Sequence, residues 1–247
     1  MHPYTNDYLL DKKVKIFQPI DGYRASTDAV FLSSLLDETK VKSGDTILDV
    51  GSGTGAISLC LAERLKEKNI TITGVDIQTD LVELSNFSAK ENGFADFLNY
   101  EYLDIREKTT LQSGSFSFVI SNPPYSDHDM PSPNRSKQLA HNHQNFNLTS
   151  WLTFCLKMLK PQGYLLIINR TEAINEILAA THNKAGDIQI LPMYSKEGQV
   201  AKRVAIIAKK GAKGITKILP PFYTHNTDGT YTLKAQHILR LGQGYFE

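Results

Sequence analysis

The chain has no apolar run near the ~18 residues that a membrane-crossing helix needs. Its opening, Met1 to Leu10, has neither a basic start nor an apolar core, so no secretory leader is read there. Cysteine is scarce: Cys60 and Cys155 are the only two in 247 residues. Each stands in an apolar helical pattern, which predicts burial rather than a disulfide framework. An excess of one charge is also lacking, since 27 Lys and Arg face 26 Asp and Glu for a net charge of +1. That balance does not announce a nucleic-acid binder. The absences exclude a membrane span and a disulfide-stapled secreted scaffold, and they point to a cytoplasmic protein. The length suits one α/β domain with extensions.

What the chain does have is one organising stretch, Thr46-Ile47-Leu48-Asp49-Val50-Gly51-Ser52-Gly53-Thr54-Gly55-Ala56. An apolar β-type run stops at a glycine cluster, and an apolar-periodic segment (Ile57, Leu59, Leu61, Ala62, Leu65) follows. The pattern predicts strand, tight turn, helix. Glycines there let the backbone approach a nucleotide-like ligand, and the helix start adds free N–H groups. A second apolar run, Ile70 to Val75, ends in Asp76, an acid placed to grip ribose hydroxyls. The Gly-x-Gly-x-Gly spacing differs from the Gly-x-Gly-x-x-Gly of dinucleotide enzymes. Together these segments resemble the Rossmann-like S-adenosylmethionine-dependent methyltransferases. The resemblance implies that the first loop holds the methionine part of the cofactor and the acid holds the ribose.

Taken in order, Met1 to Tyr23 reads as a short hairpin or extended arm. Ala25 to Leu36 reads as a helix that Ser26 or Thr27 can cap, with Asp28 in its first turn. Strands are predicted at 46–50, 70–75, 98–103, 116–121 and 164–169, and helices at 54–66, 79–92, 149–159 and 172–183. Ile188 to Tyr194 and Arg203 to Ala208 read as an antiparallel hairpin closing the sheet. The fold class is therefore α/β: a seven-stranded, mostly parallel sheet with an antiparallel C-terminal strand and helices on both faces. The expected division is an arm (1–24), a methyltransferase domain (25–212) and a packed C-terminal appendage (213–247). Ligands of such sheets bind beyond the carboxyl ends of the strands. Asp49 and Gly51, Asp76, Asp104 and Asn122 stand at four of those ends and should converge.

The sharpest signal is Asn122-Pro123-Pro124-Tyr125, directly after the apolar Phe118-Val119-Ile120. Two prolines fix the backbone, and a cis bond at either is an open expectation. An exocyclic adenine nitrogen is a poor nucleophile because its lone pair spreads into the ring. Two acceptors on its hydrogens, the Asn122 side-chain oxygen and the Pro123 carbonyl, would draw it toward tetrahedral geometry. Tyr125 offers a flat ring for a base to stack on, worth about 1–3 kcal/mol. Positioning supplies most of the rate and no strong general base is needed. From Lys196 to Lys217, the basic residues Lys196, Lys202, Arg203, Lys209, Lys210, Lys213 and Lys217 face one acid, Glu197, and read either as a phosphate-meeting patch or as a solvated face. His128, His141 and His143 lack a nearby cysteine and read as a polar loop rather than a metal site. Trp151 and Phe154, at helical spacing, read as core.

The tetrapeptide resembles the signature of methyltransferases acting on exocyclic or amide nitrogens. Gln18-Pro19, Gly22-Tyr23-Arg24 and Thr27-Asp28-Ala29-Val30 resemble the opening of the bacterial tRNA(Val) adenine-37 methyltransferase family, and Asp228-Gly229-Thr230-Tyr231-Thr232 resembles a tail among its relatives. One departure stands at Ala140-His141-Asn142-His143, where relatives often carry Ala-Arg-His-Glu. The resemblance implies S-adenosyl-L-methionine as cofactor, held by Thr27, Asp28, Asp49, Gly51, Ser52, Gly53, Gly55, Asp76, Ile77, Asp104, Ile105 and Asn122. It implies Asn122, Pro123 and Tyr125 as catalytic residues and tRNA as partner; no metal is expected, and the oligomeric state is left open with a monomer favoured. Three alternatives stay open: methylation of another RNA, methylation of a protein glutamine amide, and a non-catalytic RNA-binding module. The glutamine methyltransferases carry a sizeable helical domain before the glycine loop, where this chain has 45 residues before Thr46. DNA adenine methyltransferases need a target-reading region for which the chain has little spare length. The glycine spacing and the proline loop speak against a dehydrogenase.

Overall fold

A computed structural model describes residues 3–22, 24–124 and 147–247 of the chain. Strands β1 (Tyr4–Leu9) and β2 (Val14–Pro19) pair as an antiparallel hairpin. Side chains of a helix, α3 (Thr79–Glu91), and of its C-terminal neighbour satisfy the free edge of β2. Ser88 Oγ accepts from Phe17 N at 3.0 Å, and Asn92 Oδ1 accepts from Lys15 N at 2.8 Å. An edge strand left bare would be open to pairing with another chain.

The remaining strands form one nine-stranded sheet. They are β3 (Asp45–Val50), β4 (Ile70–Asp76), β5 (Leu98–Tyr102), β6 (Phe116–Ser121), β7 (Leu159–Arg170), β8 (Ala185–Tyr194), β9 (Arg203–Lys210), β10 (Lys217–Ile218) and β11 (Phe222–Tyr223). The order is β5-β4-β3-β6-β7-β9-β8-β10, and β11 also pairs with β8. Pairings from β5 across to β7 are parallel. The antiparallel strand, β9, lies between β7 and β8. Seven strands match the expected sheet. Two two-residue strands from the tail extend it, too short for any alternation to be read in the sequence.

Side chains alternate between two cores, as the period of two requires. Ile47, Ile72, Leu98, Phe118 and Ile120 face α1 (Thr27–Ser34), α2 (Ala56–Leu65) and α3. Leu48, Val50, Val75, Val119 and Leu165 face α4 (Leu148–Met158) and α5 (Ile174–Thr181). Helices on both faces bury a strand from both sides, as β6 is buried throughout its length; its Phe116, Phe118, Val119 and Ile120 are apolar, and its two serines are hydrogen-bonded through their hydroxyls. Cys60 on α2 and Cys155 on α4 are buried, free, and on opposite faces. The tail ends in α6 (Leu233–Gln236) and a π-helical turn, His237–Leu241, and Tyr245 N bonds back to Ser34 O at 2.8 Å. Among the described residues, no helix is long and apolar enough to cross a membrane.

Candidate active site

The register of the sheet brings the predicted residues together. Val75, Val50 and Ser121 are partners in one row across three adjacent parallel strands. The residues that follow them, Asp76, Gly51 and Asn122, therefore leave the sheet side by side, with strands spaced ~4.8 Å apart. Tyr102 pairs with Asp76, so Leu103 and Asp104 leave one strand further out. This is the carboxyl edge, where open parallel sheets take their ligands.

The glycine loop turns through left-handed backbone at Gly51 (φ +71°), Gly53 (φ +55°) and Gly55 (φ +82°), which a side chain would strain. Val75 O accepts from both Gly51 N (2.9 Å) and Ser52 N (3.0 Å). Close approach by a ligand is not the whole reason for the glycines, because the protein's own rings press on them. A Cβ at Gly55 would stand 2.7 Å from Cζ of Tyr100, and one at Gly51 would stand 2.8 Å from the six-membered ring of Trp151. Tyr100, wholly buried on the α2 side, donates its hydroxyl to Gly55 O at 3.1 Å. Trp151 comes from the α4 side. The loop is thus gripped from both faces of the sheet.

Three acids stand near this loop in three different states. Asp76 Oδ2 accepts from Gly53 N at 2.8 Å and Oδ1 from Gln78 N at 2.9 Å. Burial raises its pKa above the ordinary carboxylate value, and hydrogen bonds from Gln78, Gly53 and Ile77 pull it back. Asp49 is 0 % exposed and lies behind the loop, with Oδ2 accepting from Ser58 Oγ at 2.6 Å and Oδ1 without a partner among the described residues. Burial pushes its carboxyl up to about 7. It stands behind the glycine loop, facing α2 through Ser58. Asp104 is gripped by its own neighbour: Arg106 N donates to Oδ1 at 3.0 Å and the guanidinium pairs with both oxygens. Ile77 and Ile105, half-buried, follow Asp76 and Asp104 on the same edge.

Asn122 is half-buried and Pro123 buried. The cis bond considered from the sequence is not found: every described peptide bond is trans. The loop is instead anchored just before its first residue. Ser121 Oγ donates to Val50 O at 2.8 Å and accepts from Trp151 Nε1 at 2.9 Å. Tyr125, His128, His141, His143 and the departure at Ala140 to His143 lie outside the described residues.

The start of α1 reaches the same rim. Ser26 takes the N-cap position but its hydroxyl caps nothing; a backbone bond from Ala29 N to Ser26 O (3.2 Å) does that work, and Thr27 is exposed. Asp28 Oδ2 accepts from Arg203 Nε at 2.9 Å. Arg203 is the cross-strand partner of Arg170 at the carboxyl end of β7. Two cations directly opposite repel, and Asp28 offsets that repulsion. The pairing also corrects the reading of one basic patch. Because β9 runs through the sheet, Lys202 and Arg203 stand at the rim, whereas Lys209 and Lys210 lie ~25 Å away at the other end. Lys210 Nζ is tied there to Leu159 O at 2.6 Å.

Two loop hydroxyls, Ser52 Oγ and Thr54 Oγ1, are buried with no partner among the described residues. Orphaned buried hydroxyls are costly, and here they line a loop otherwise built of turned amides, a donor set that fits a polar ligand.

Residues 41–213 match the methyltransferase-domain family, and the chain belongs to it. A relative from Phocaeicola vulgatus, named tRNA1(Val) (adenine(37)-N6)-methyltransferase, is 28% identical over 205 residues, covering 83% of this chain and 84% of its own. One of the same name from Dyadobacter fermentans is 24% identical over 238 residues, covering 95% and 96%. Among solved structures, a protein of Agrobacterium tumefaciens described as a predicted O-methyltransferase superposes with a TM-score of 0.72 at 22% identity, over 88% of this chain and 97% of that one. This last likeness concerns the fold: a Rossmann-like methyltransferase sheet.

Proposed function

We propose that this protein is an S-adenosylmethionine-dependent methyltransferase acting on the exocyclic 6-amino group of an adenine in tRNA, with adenine-37 of tRNA(Val) as the target. The observation that carries the reading is the row Val75–Val50–Ser121, because it sets an acid, a glycine turn and an asparagine at three neighbouring strand ends. The names of the curated relatives supply the substrate.

When bound, the cofactor supplies a methyl group already activated on a sulfonium centre. The remaining work belongs to the chain. Gly51, Ser52, Gly53, Gly55 and the Thr54 hydroxyl form its cradle, and the Asp76 carboxylate holds the ribose hydroxyls. Thr27, Asp28, Ile77, Asp104 and Ile105 complete the rim, while Asp49 acts from behind the loop. Asn122 Oδ1 and the Pro123 carbonyl accept the two amino hydrogens of the base and turn its lone pair toward the methyl carbon. Tyr125 stacks on the ring. Holding both partners in line supplies the rate without a strong base. Lys202, exposed beside the rim, meets phosphate, while Arg203 is committed to Asp28.

The test uses purified protein, methyl-labelled cofactor and a tRNA(Val) transcript, followed by mass spectrometry of the released nucleosides. The expected product is N6-methyladenosine at position 37, absent when guanine replaces that adenine. Methylation that survives the replacement, or that falls on a protein glutamine, overturns the assignment.

A further inference from the structure

We propose that Trp151 is a positioning residue that braces the glycine loop against the Asn122 loop, and that its indole borders the space the cofactor fills. The inference rests on the methyltransferase reading above and assigns a role to a residue whose spacing suggested only core packing.

Five contacts carry it. The ring edge of Trp151 occupies the place where a Cβ at Gly51 would go, 2.8 Å from two ring carbons. Its Nε1 donates to Ser121 Oγ, the side chain just before Asn122, at 2.9 Å. Ser121 Oγ passes the chain on to Val50 O, just before Gly51, at 2.8 Å. Helix α4 fixes the ring's origin, since Asn147 Oδ1 caps it by accepting from Ser150 N at 3.0 Å and Asn147 O accepts from Trp151 N at 3.1 Å. One indole therefore touches the first residue of the cofactor turn and the last strand residue before the reacting loop. Both Trp151 and Gly51 stay half-buried, whereas Phe154, one helical turn on, is buried in the α4 core. A brace of this kind sets the separation of two loops whose relative placement decides an in-line transfer, where a shift of ~1 Å costs about 10²-fold in rate.

The chain has a single tryptophan, so the proposal has a readout independent of turnover. Titrating the wild-type protein with S-adenosylhomocysteine should change the Trp151 emission along the binding curve that calorimetry gives. Trp151→Phe loses both the N–H and the outer ring edge, Cζ2 and Cη2, that faces Gly51; Ser121→Ala loses the acceptor. Each should lower kcat about ten- to hundredfold while KM for tRNA and the cofactor Kd stay within about twofold, and the double variant should fall no further than either single one. Circular dichroism identifies a variant that fails to fold, and the remaining single variant then carries the kcat test. Wild-type kcat in a folded variant, additive losses, or calorimetric binding without any change in emission overturns the brace. Failure of the wild-type protein to bind the cofactor in calorimetry overturns the methyltransferase reading itself, and the brace with it.

Discussion

The two loops that meet at the carboxyl edge are held in opposite ways. The glycine loop has no stiffness of its own: three residues sit in left-handed backbone, and Val75 O, the Asp76 carboxylate, Tyr100 and Trp151 hold them there. The Asn122 loop carries its stiffness in the chain, as Pro123 and Pro124 fix φ and lack amide hydrogens, and among the described residues Ser121 anchors its start. A loop that must wrap a ligand is built from residues that bend and is made rigid by its neighbours. A loop that must present two acceptors is rigid covalently. Damage to residues of the first should therefore appear in binding and stability, and damage to the second, or to the Trp151 brace that sets the separation of the two, in turnover.

The strongest break of that comparison is Asn122→Ala. Turnover should fall about 10²-fold or more while the cofactor Kd, measured by calorimetry, stays within about twofold. Equal losses in both would mean that the two loops are one unit. On the other side, Asp76→Ala should weaken cofactor binding by about 1.5–3 kcal/mol, roughly ten- to a hundredfold in Kd, because it removes a charged acceptor. Unchanged calorimetric affinity would take Asp76 out of the ribose role. The substitution also strips the partner from Gly53 N, so Asp76→Asn, which keeps one carbonyl oxygen, should retain more of the affinity.

Much of this arrangement was legible in the sequence, and the limits are physical. Strand–glycine–helix, the acid closing β4 and the prolines after β6 are local patterns, each written in consecutive residues. Parallel strands then carry those ends to one edge without further information. Contacts between distant residues left no such trace. Asp28 and Arg203 are 175 residues apart, and nothing in either neighbourhood names the other. Helical spacing tied Trp151 to Phe154 correctly, yet it could not say that the first turn of α4 reaches past the core to Gly51. A single Tyr100 on β5 gave no sign that the glycine turn would be folded around it. The basic run read as one patch because a linear count ignores that a buried strand separates its two ends.

Gly51→Ala sharpens the comparison by separating backbone strain from crowding. Left-handed backbone costs an L-residue about 1–2 kcal/mol, which should lower Tm by about 2–8 °C in a chain of this size. Gly93 has nearly the same φ, +72°, and a Cβ there meets nothing within 4 Å. Gly93→Ala therefore reports the strain alone, and any additional loss at Gly51 measures the pressure of the Trp151 ring. Equal shifts in Tm would mean that the ring moves aside freely.

A pH-dependent effect concerns the acid behind the loop. In the unfolded chain Asp49 titrates near the ordinary 3.8, and in the folded protein burial holds it at about 7. Between those values the folded state keeps a proton that the unfolded state has released. Stability attributable to this group therefore falls as pH rises from about 4 to about 7, and the loss is complete above that. Asp49→Asn carries no titrating proton, though its amide meets the same unpartnered space at the Oδ1 side, a cost that does not vary with pH. Urea unfolding of both proteins at pH 5 and pH 8 should show the stability of the variant relative to the wild type rising between the two. Parallel pH profiles would mean that Asp49 is ionised in the folded protein at both pH values. It would then be a charged partner of the loop like Asp76, and the division between a ligand-facing acid and one set behind the turn would fail.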